Sequence, residues 1–401
     1  MNWIATLFTT HSVANSLLLL SLTIAIGLTL SHIKIGKINL GVTWILFAGI
    51  ALGQMGLSID PTTGHFMKEF GLMLFIYTIG VEVGPTFFAS FRSGGIMLNL
   101  LAAGLILLGS GLAILLWHIT DTDPAAMTGV LYGAVTNTPG LGAAQQTFSD
   151  LHANADNPLY AQGYAVAYPL GVIGIIMSIT VLKSLCKFNF EEETALMERN
   201  RHRNGMELQQ SIANRKQPQK EQPNLFFIFI GIVLGILLGM MPIRIPGMSV
   251  PVKLGMAGGP LIASILLSYF GPRIHLNTYI APSANIMIRQ IGISIFMASV
   301  GISAGQGFLE TILGGGYWWV LWGVIITVVP CLTMGFIARK LCKLSYFTIA
   351  GLISGATTDP PALAYSNDLG PGNQANIAYT TVYPLSMFLR VLVAQLLVLF
   401  A

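Results

Sequence analysis

Long apolar runs alternate with short polar breaks along nearly the whole chain. Apolar segments fall at 13–33, 40–57, 67–90, 96–118, 125–148 and 160–182, and again at 224–242, 255–271, 287–309, 316–338, 346–370 and 376–400. Most approach the ~20 residues that a helix needs to cross a hydrocarbon core of about 30 Å. The first has no basic residues ahead of it, so it reads as a span and not as a cleaved signal peptide. Between the two sets lies a polar, mixed-charge stretch, 183–223, too short to hold a core of its own. The pattern predicts an all-α integral membrane protein with an N-terminal membrane repeat (1–182), a cytoplasmic polar linker (183–223) and a C-terminal membrane repeat (224–401).

The fifth and eleventh segments are not ordinary membrane helices. Gly133-Ala134-Val135-Thr136-Asn137-Thr138-Pro139-Gly140-Leu141 returns 222 positions later as Gly355-Ala356-Thr357-Thr358-Asp359-Pro360-Pro361-Ala362-Leu363. Small residues, hydroxyls, an amide or carboxylate and proline stand inside otherwise oily sequence. Two further blocks repeat in the same order: Gly71/Phe75/Gly80/Gly84/Phe87 with Gly292/Phe296/Gly301/Gly305/Phe308, and Tyr164/Tyr168/Pro169/Leu170 with Tyr379/Tyr383/Pro384/Leu385. Three matched blocks indicate duplication.

Charge placement orients the halves. If each motif segment crosses the membrane, each half has six spans and the halves are parallel. If it enters and leaves on one side, each half has about five spans plus a re-entrant hairpin, and the halves are inverted. With the N-terminus outside, the second arrangement puts 16 of the 20 basic residues on the cytoplasmic side, leaving Lys68, Arg244 and Lys253 outside and Arg390 within a span; the positive-inside rule favours it. The expected fold is two inverted repeats of about five helices plus one re-entrant hairpin each. Both termini would then be periplasmic and the linker cytoplasmic.

Composition agrees: 54% of residues are hydrophobic and only 9% charged, against about 25% charged in soluble domains. The sequence has no phosphate-binding loop, no metal-ligand cluster, no hydrolase elbow and no basic stripe with interleaved aromatics. These absences argue against an ATP-driven pump, an enzyme and a nucleic-acid binder, and they call for no cofactor. The three cysteines lack metal-ligand spacing.

Proline and glycine break helices and leave unpaired backbone groups, which at membrane depth must line protein or a cavity. Helix N-termini favour anions and freed carbonyls favour cations. Broken helices at matched positions of two halves point to a transport site. The substrate-site candidates are therefore Thr136, Asn137, Thr138, Pro139, Thr357, Thr358, Asp359 and Pro361, with Tyr168 and Tyr383 on the neighbouring helices. Ionisable groups inside spans are functional candidates by default. Arg390 suits a carboxylate, or an ion pair with Glu82 or Asp359. Asp359 and Glu82 are candidates for a coupling ion or proton. Glu82, ahead of Gly84-Pro85, is placed at a helix break. Gln145, Gln146 and Asn373 are weaker candidates.

The two motifs, the Gly80–Phe88 block and the Tyr-Pro-Leu helices resemble the aspartate:alanine exchanger family of bacterial secondary transporters. The resemblance spans both membrane halves. It implies an inner-membrane exchanger of small carboxylates, such as acidic amino acids or C4-dicarboxylates. Many members carry two RCK-type regulatory domains in the central loop, where this chain has only the short linker. The expected machine is a homodimer in the bilayer. The two hairpins with Tyr164–Leu182 and Tyr379–Phe400 move against a scaffold of the remaining helices, by an elevator or a rocking displacement. A sodium- or proton-coupled organic-anion carrier of the bile-acid-symporter type is the alternative, and a transporter-shaped receptor is another.

Overall fold

The computed structural model describes residues 12–35, 38–39, 41–91, 95–152, 155–186, 188, 225–242, 253–274, 276, 278, 280–369 and 374–401. Most of the linker, Lys37, Arg92, Arg244 and Asn373 lie outside the described residues.

Among the described residues, regular structure is helical apart from a two-residue antiparallel pairing of Lys34–Ile35 with Ile38–Asn39. The first half contains α1 (Val13–Leu30), α2 (Thr43–Gln54), α3 (Pro61–Phe87), α4 (Gly95–Thr120), α5 (Pro124–Ala134), α6 (Thr138–Leu151) and α7 (Leu159–Leu185). The second half contains α8 (Leu225–Met240), α9 (Gly255–Phe270), α10 (Pro282–Gly305), α11 (Trp318–Lys340), α12 (Tyr346–Ala356), α13 (Pro360–Asp368) and α14 (Gln374–Phe400). Helix starts follow local chemistry. Asp60 and Asp123 accept hydrogen bonds from first-turn amides of α3 and α5, each ahead of a proline, whose missing N–H is no loss there.

Among the described residues, seven helices are long and apolar enough to cross a membrane: α1, α3, α4, α7, α10, α11 and α14. Three of the expected spans are shorter: α2 has 12 residues, and α8 and α9 have 16 each. Left-handed glycines trim two of them, Gly41 and Gly56 on either side of α2 and Gly255 at the head of α9. The break expected at Glu82 is absent. Pro85 falls in the last turn of α3, and the helix runs through it to Phe87.

The helices sort into two bundles. α1, α2 and α3 pack with α8, α9 and α10, while α4, α7, α11 and α14 surround the broken segments α5–α6 and α12–α13. α4 and α11, expected in the scaffold, thus belong with the hairpins. In the first bundle α3 and α10 cross antiparallel, Gly71 against Gly292 and Phe296, and Gly292 against Gly71 and Phe75. A Cβ at Gly71 would sit 2.7 Å from the Gly292 carbonyl oxygen, so only glycine permits this approach. The outer surface is apolar: Leu100, Leu107, Leu115 and Ile119 on α4, and Phe226, Phe229 and Leu237 on α8, are exposed. Continuous apolar surface of this kind suits lipid as the solvent, and the chain is a multi-pass membrane protein.

Candidate functional site

α7 serves as a ruler for the first motif. Gly129 packs on Tyr160, Gly133 on Tyr164 and Gly171 on Ala134, so α5 runs parallel to α7. The chain then doubles back, because the Phe148 ring near the end of α6 meets the Tyr160 ring at the start of α7 (centroids 5.7 Å apart). The second motif behaves likewise on α14. Gly351 packs on Ala375 and Gly355 on Tyr379, while Asn367 donates to Asn376 (3.3 Å) and Ser345 to Gln374 (3.0 Å). Its mouth lies at the far end of α7, where Tyr346 donates to the Ile179 carbonyl (3.1 Å) and packs against Phe188. The two doubled-back segments therefore enter the bundle from opposite ends.

Their tips are built alike. Thr136 and Thr358 take left-handed backbone (φ +55° and +58°), and the amides of Asn137 and Asp359 close the preceding helices onto the carbonyls of Tyr132 and Ser354 (both 2.9 Å). This is the usual helix-ending turn, with threonine where glycine is normal; such strain gathers at functional sites. The next residue distinguishes the copies. Asn137 caps α6, its Oδ1 accepting from the Gly140 amide at 2.7 Å. Asp359 holds the same position ahead of α13 but makes no cap bond. It is fully buried, and both its carboxylate oxygens lack a hydrogen-bond partner.

The tips touch. Thr136 donates to the Thr357 carbonyl (3.3 Å), and Asn137 Nδ2 donates to Thr358 Oγ1 (2.9 Å) and lies 3.5 Å from the Met387 sulfur. Thr138 shares a hydrogen bond with the Tyr164 hydroxyl (2.8 Å), and Pro139 is buried in the first turn of α6. Tyr168 and Tyr379 lie within electrostatic reach of Asp359. Tyr383 stacks on Tyr379 (5.1 Å) at the half-exposed edge, and Pro361 is partly exposed. Arg390 reaches the tips but forms neither of the ion pairs considered for it. Its Nε and Nη2 both donate to the Ala356 carbonyl (2.9 and 2.6 Å), the last of α12.

Glu82 stands away from the tips and pairs with Arg289 of α10. Both lie within electrostatic reach of Tyr379 and Tyr383. Sequence reasoning counted Arg289 only as a cytoplasmic base. The signal was in the repeat, since Arg289 matches Lys68 at the offset that aligns Gly71 with Gly292. Lys68 is also paired, with Asp156. Gln146 bonds Glu69 (2.9 Å) and Asp150 (3.0 Å) at the mouth of the first segment, away from the tips.

The two segments are covered unequally. α6 is buried from Thr138 to Ala144 and packs on α9 and α3, with Gly142 against Leu72. α13 packs chiefly on α7, α12 and α14, and its Pro360 and Ala364 are exposed. The second segment is thus the less covered of the two, although Thr358 and Asp359 at its tip are themselves buried.

The family model described as a predicted permease membrane region, for the aspartate:alanine exchangers, matches residues 19–184 and 227–399. An uncharacterized transporter of Bacteroides fragilis is 40% identical, with 96% of each chain covered. Another, of Bacteroides thetaiotaomicron, is 36% identical over the whole of both chains, and one of Porphyromonas gingivalis is 32% identical over 99% of this chain and 98% of its own. No solved structure matches the chain.

Proposed function

The chain belongs to the aspartate:alanine exchanger family and is a membrane transporter, and from that premise we propose that it exchanges small carboxylates, such as acidic amino acids or C4-dicarboxylates, across the bacterial inner membrane. The observation that carries this reading is the meeting of two broken segments, entering from opposite ends, at one buried polar junction. Half-helix termini gathered at mid-depth form the kind of site that selects a small charged solute. Thr136, Asn137, Thr138, Thr357 and Thr358 would contact the substrate, with Tyr168 and Tyr383 beside them. Arg390 would supply a fixed positive charge from behind the α12 terminus, attracting the carboxylate without leaving Ala356.

In this reading the halves are inverted repeats and the doubled-back segments are re-entrant hairpins. The antiparallel crossing of matched glycines, Gly71 and Gly292, supports this, because a two-fold relation perpendicular to two antiparallel helices inverts one half relative to the other. The linker end of α7 lies beside Arg339 and the start of α12, consistent with a basic cytoplasmic face and periplasmic termini. Alternating access would move the bundle of α4–α7 and α11–α14 against that of α1–α3 and α8–α10. The first hairpin is the more deeply packed of the two, and the second, with Pro360 and Ala364 exposed, would be the one to open first. The alignment with the Bacteroides fragilis relative runs over 542 positions against the 401 residues of this chain, and the family match is interrupted at 185–226. We read the short linker as the place where longer relatives carry additional segments.

A counterflow assay tests the proposal. Proteoliposomes preloaded with unlabelled L-aspartate or succinate should accumulate the labelled compound, and empty-loaded vesicles should not. If no carboxylate exchanges while amines or sugars do, the substrate assignment is wrong.

A further inference from the structure

We infer that polar contacts at the mouth of the first hairpin form a latch that holds it on the scaffold, and that the repeat supplies a matching latch, Gln290 with Asp368, for the second hairpin in the opposite state. The inference rests on reading the chain as an alternating-access transporter built of inverted repeats.

The seat of the first hairpin on α3 has an apolar part, where Gly142 meets Leu72. One turn nearer the mouth, on the same face of α3, stand Lys68 and Glu69. Lys68 is buried and pairs with Asp156 in the connection between α6 and α7. Glu69 Oε1 accepts from Gln146 Nε2 of α6 (2.9 Å) and lies 3.1 Å from His65 Nε2. The same Gln146 nitrogen donates to Asp150 Oδ1, one turn on along α6 (3.0 Å). Asp150 in turn lies against the head of α9, where a Cβ at Gly255 would meet its Oδ2 at 3.2 Å. Beside them, Gln162 near the start of α7 donates to the Ala304 carbonyl at the end of α10 (2.9 Å). Three helices of the scaffold bundle thus hold α6, its connection and the start of α7.

These contacts suit a joint that opens as a unit. The Asp156 side chain is already 46% exposed, so water can replace Lys68 as its partner. Lys68 has no such option while the hairpin is seated, because breaking the pair would strand a buried ammonium. Pair and seat are therefore lost together. The amide–carboxylate bond between Gln146 and Glu69 behaves likewise, since both groups return to water once the surfaces part.

The second half repeats the amide–carboxylate pair with its roles exchanged. The offset that aligns Gly71 with Gly292 aligns Glu69 with Gln290. The offset of the two motifs aligns Gln146 with Asp368, the last residue of α13. A carboxylate on the scaffold and an amide on the hairpin become an amide on the scaffold and a carboxylate on the hairpin. In the described arrangement Gln290 is exposed. Arg289, the match of Lys68, is turned to Glu82 of its own bundle, and α13 packs chiefly on α7, α12 and α14. Complementary groups at both matched positions are what two alternative seats require. Each latch closes when its own hairpin docks, and the exposed Gln290 marks the seat that is vacant while the first hairpin is held.

Cysteine labelling tests the latch without any substrate. Ser149 is fully buried on α6, seven residues after Gly142 and so on the same face. A Ser149→Cys thiol is then shielded while the hairpin is seated. In the purified full-length protein in detergent, this variant should react slowly with a water-soluble maleimide, above a background set by Cys186, Cys331 and Cys342. Adding Asp156→Asn or, separately, Glu69→Ala should speed the reaction on the order of tenfold, the weight of one hydrogen bond to a charged group. Asp156→Glu should keep it slow. Gln290→Ala weakens only the second latch, so on Ser149→Cys/Asp156→Asn it should reverse most of the gain, which local loosening of α6 would not allow. Labelling that stays slow in either Asp156→Asn or Glu69→Ala, or a gain that Gln290→Ala leaves untouched, overturns the reciprocal latch and leaves the transport reading intact. The expected labelling with no counterflow of any solute would instead overturn the transport reading and leave the latch in place.

Discussion

At the scale of residues, the site depends on which buried groups have partners. Arg390 supplies two hydrogen bonds to one carbonyl at the end of α12, and its own carbonyl accepts from the Tyr132 hydroxyl (2.8 Å) of the first hairpin. Arg390→Ala would leave the Ala356 carbonyl buried and unpaired, at a cost of about 1–3 kcal/mol. The expected outcome is a lower thermal unfolding temperature in detergent together with loss of counterflow. Lysine should restore little, because it lacks the planar fork that makes both bonds. An unchanged melting temperature in Arg390→Ala would remove the anchoring role. The sequence singled out Arg390, Asp359 and Glu82 by their charge, since ionisable groups are rare in spans. It could not reveal their partners. Arg390 looked suited to a carboxylate and found a carbonyl, and Glu82 found Arg289 from the other repeat. Such pairings join positions far apart in sequence and leave no local signature.

At the scale of elements, the legible features were those written in short stretches. Proline and small residues marked the breaks, and aspartate ahead of proline marked two helix starts. Helix lengths were less legible, because α2 and α9 are trimmed by left-handed glycines whose conformation hydropathy does not report. The α3–α10 crossing carries a direct test. Gly71→Val forces a side chain to within 2.7 Å of the Gly292 carbonyl and 2.8 Å of the Phe296 amide nitrogen. Overpacking of this kind costs about 1–3 kcal/mol. The same change at Gly111, which has no neighbour within 4 Å of an added Cβ, should cost far less. Thermal unfolding of the two variants compares them. Equal melting temperatures would mean that the crossing is not a close-packed seam.

At the scale of the whole molecule, the two halves are built alike but packed unequally, and that inequality implies a second arrangement. Gly142 of α6 now rests on Leu72 of α3. The repeat matches Gly142 with Ala364 of α13, and Leu72 with Ile293 of α10. Exchanging the roles of the halves would seat Ala364 on Ile293 and open the first hairpin. The cysteine pair Gly142→Cys/Leu72→Cys should therefore cross-link in the resting protein. Ala364→Cys/Ile293→Cys should cross-link only as the protein cycles, and should arrest counterflow when it does. If the second pair never forms in a transporting variant, the exchange of roles is wrong.

The sequence by itself determined that the chain lives in a bilayer, that it is duplicated, and that its two odd segments interrupt helices. All three are linear properties of hydropathy, spacing and backbone-breaking residues. The placement of basic residues favours opposed halves as an expectation. The packing of the helices, which no linear signal carries, set α4 and α11 around the broken segments and buried the first of these more deeply than the second. Packing also leaves the Asp359 carboxylate oxygens buried without a hydrogen-bond partner. The physical reason is that a buried polar group is defined by its neighbours. The neighbours of Asp359 come from α7, α11 and α14, which meet at the hairpin tips only once the two repeats have packed together.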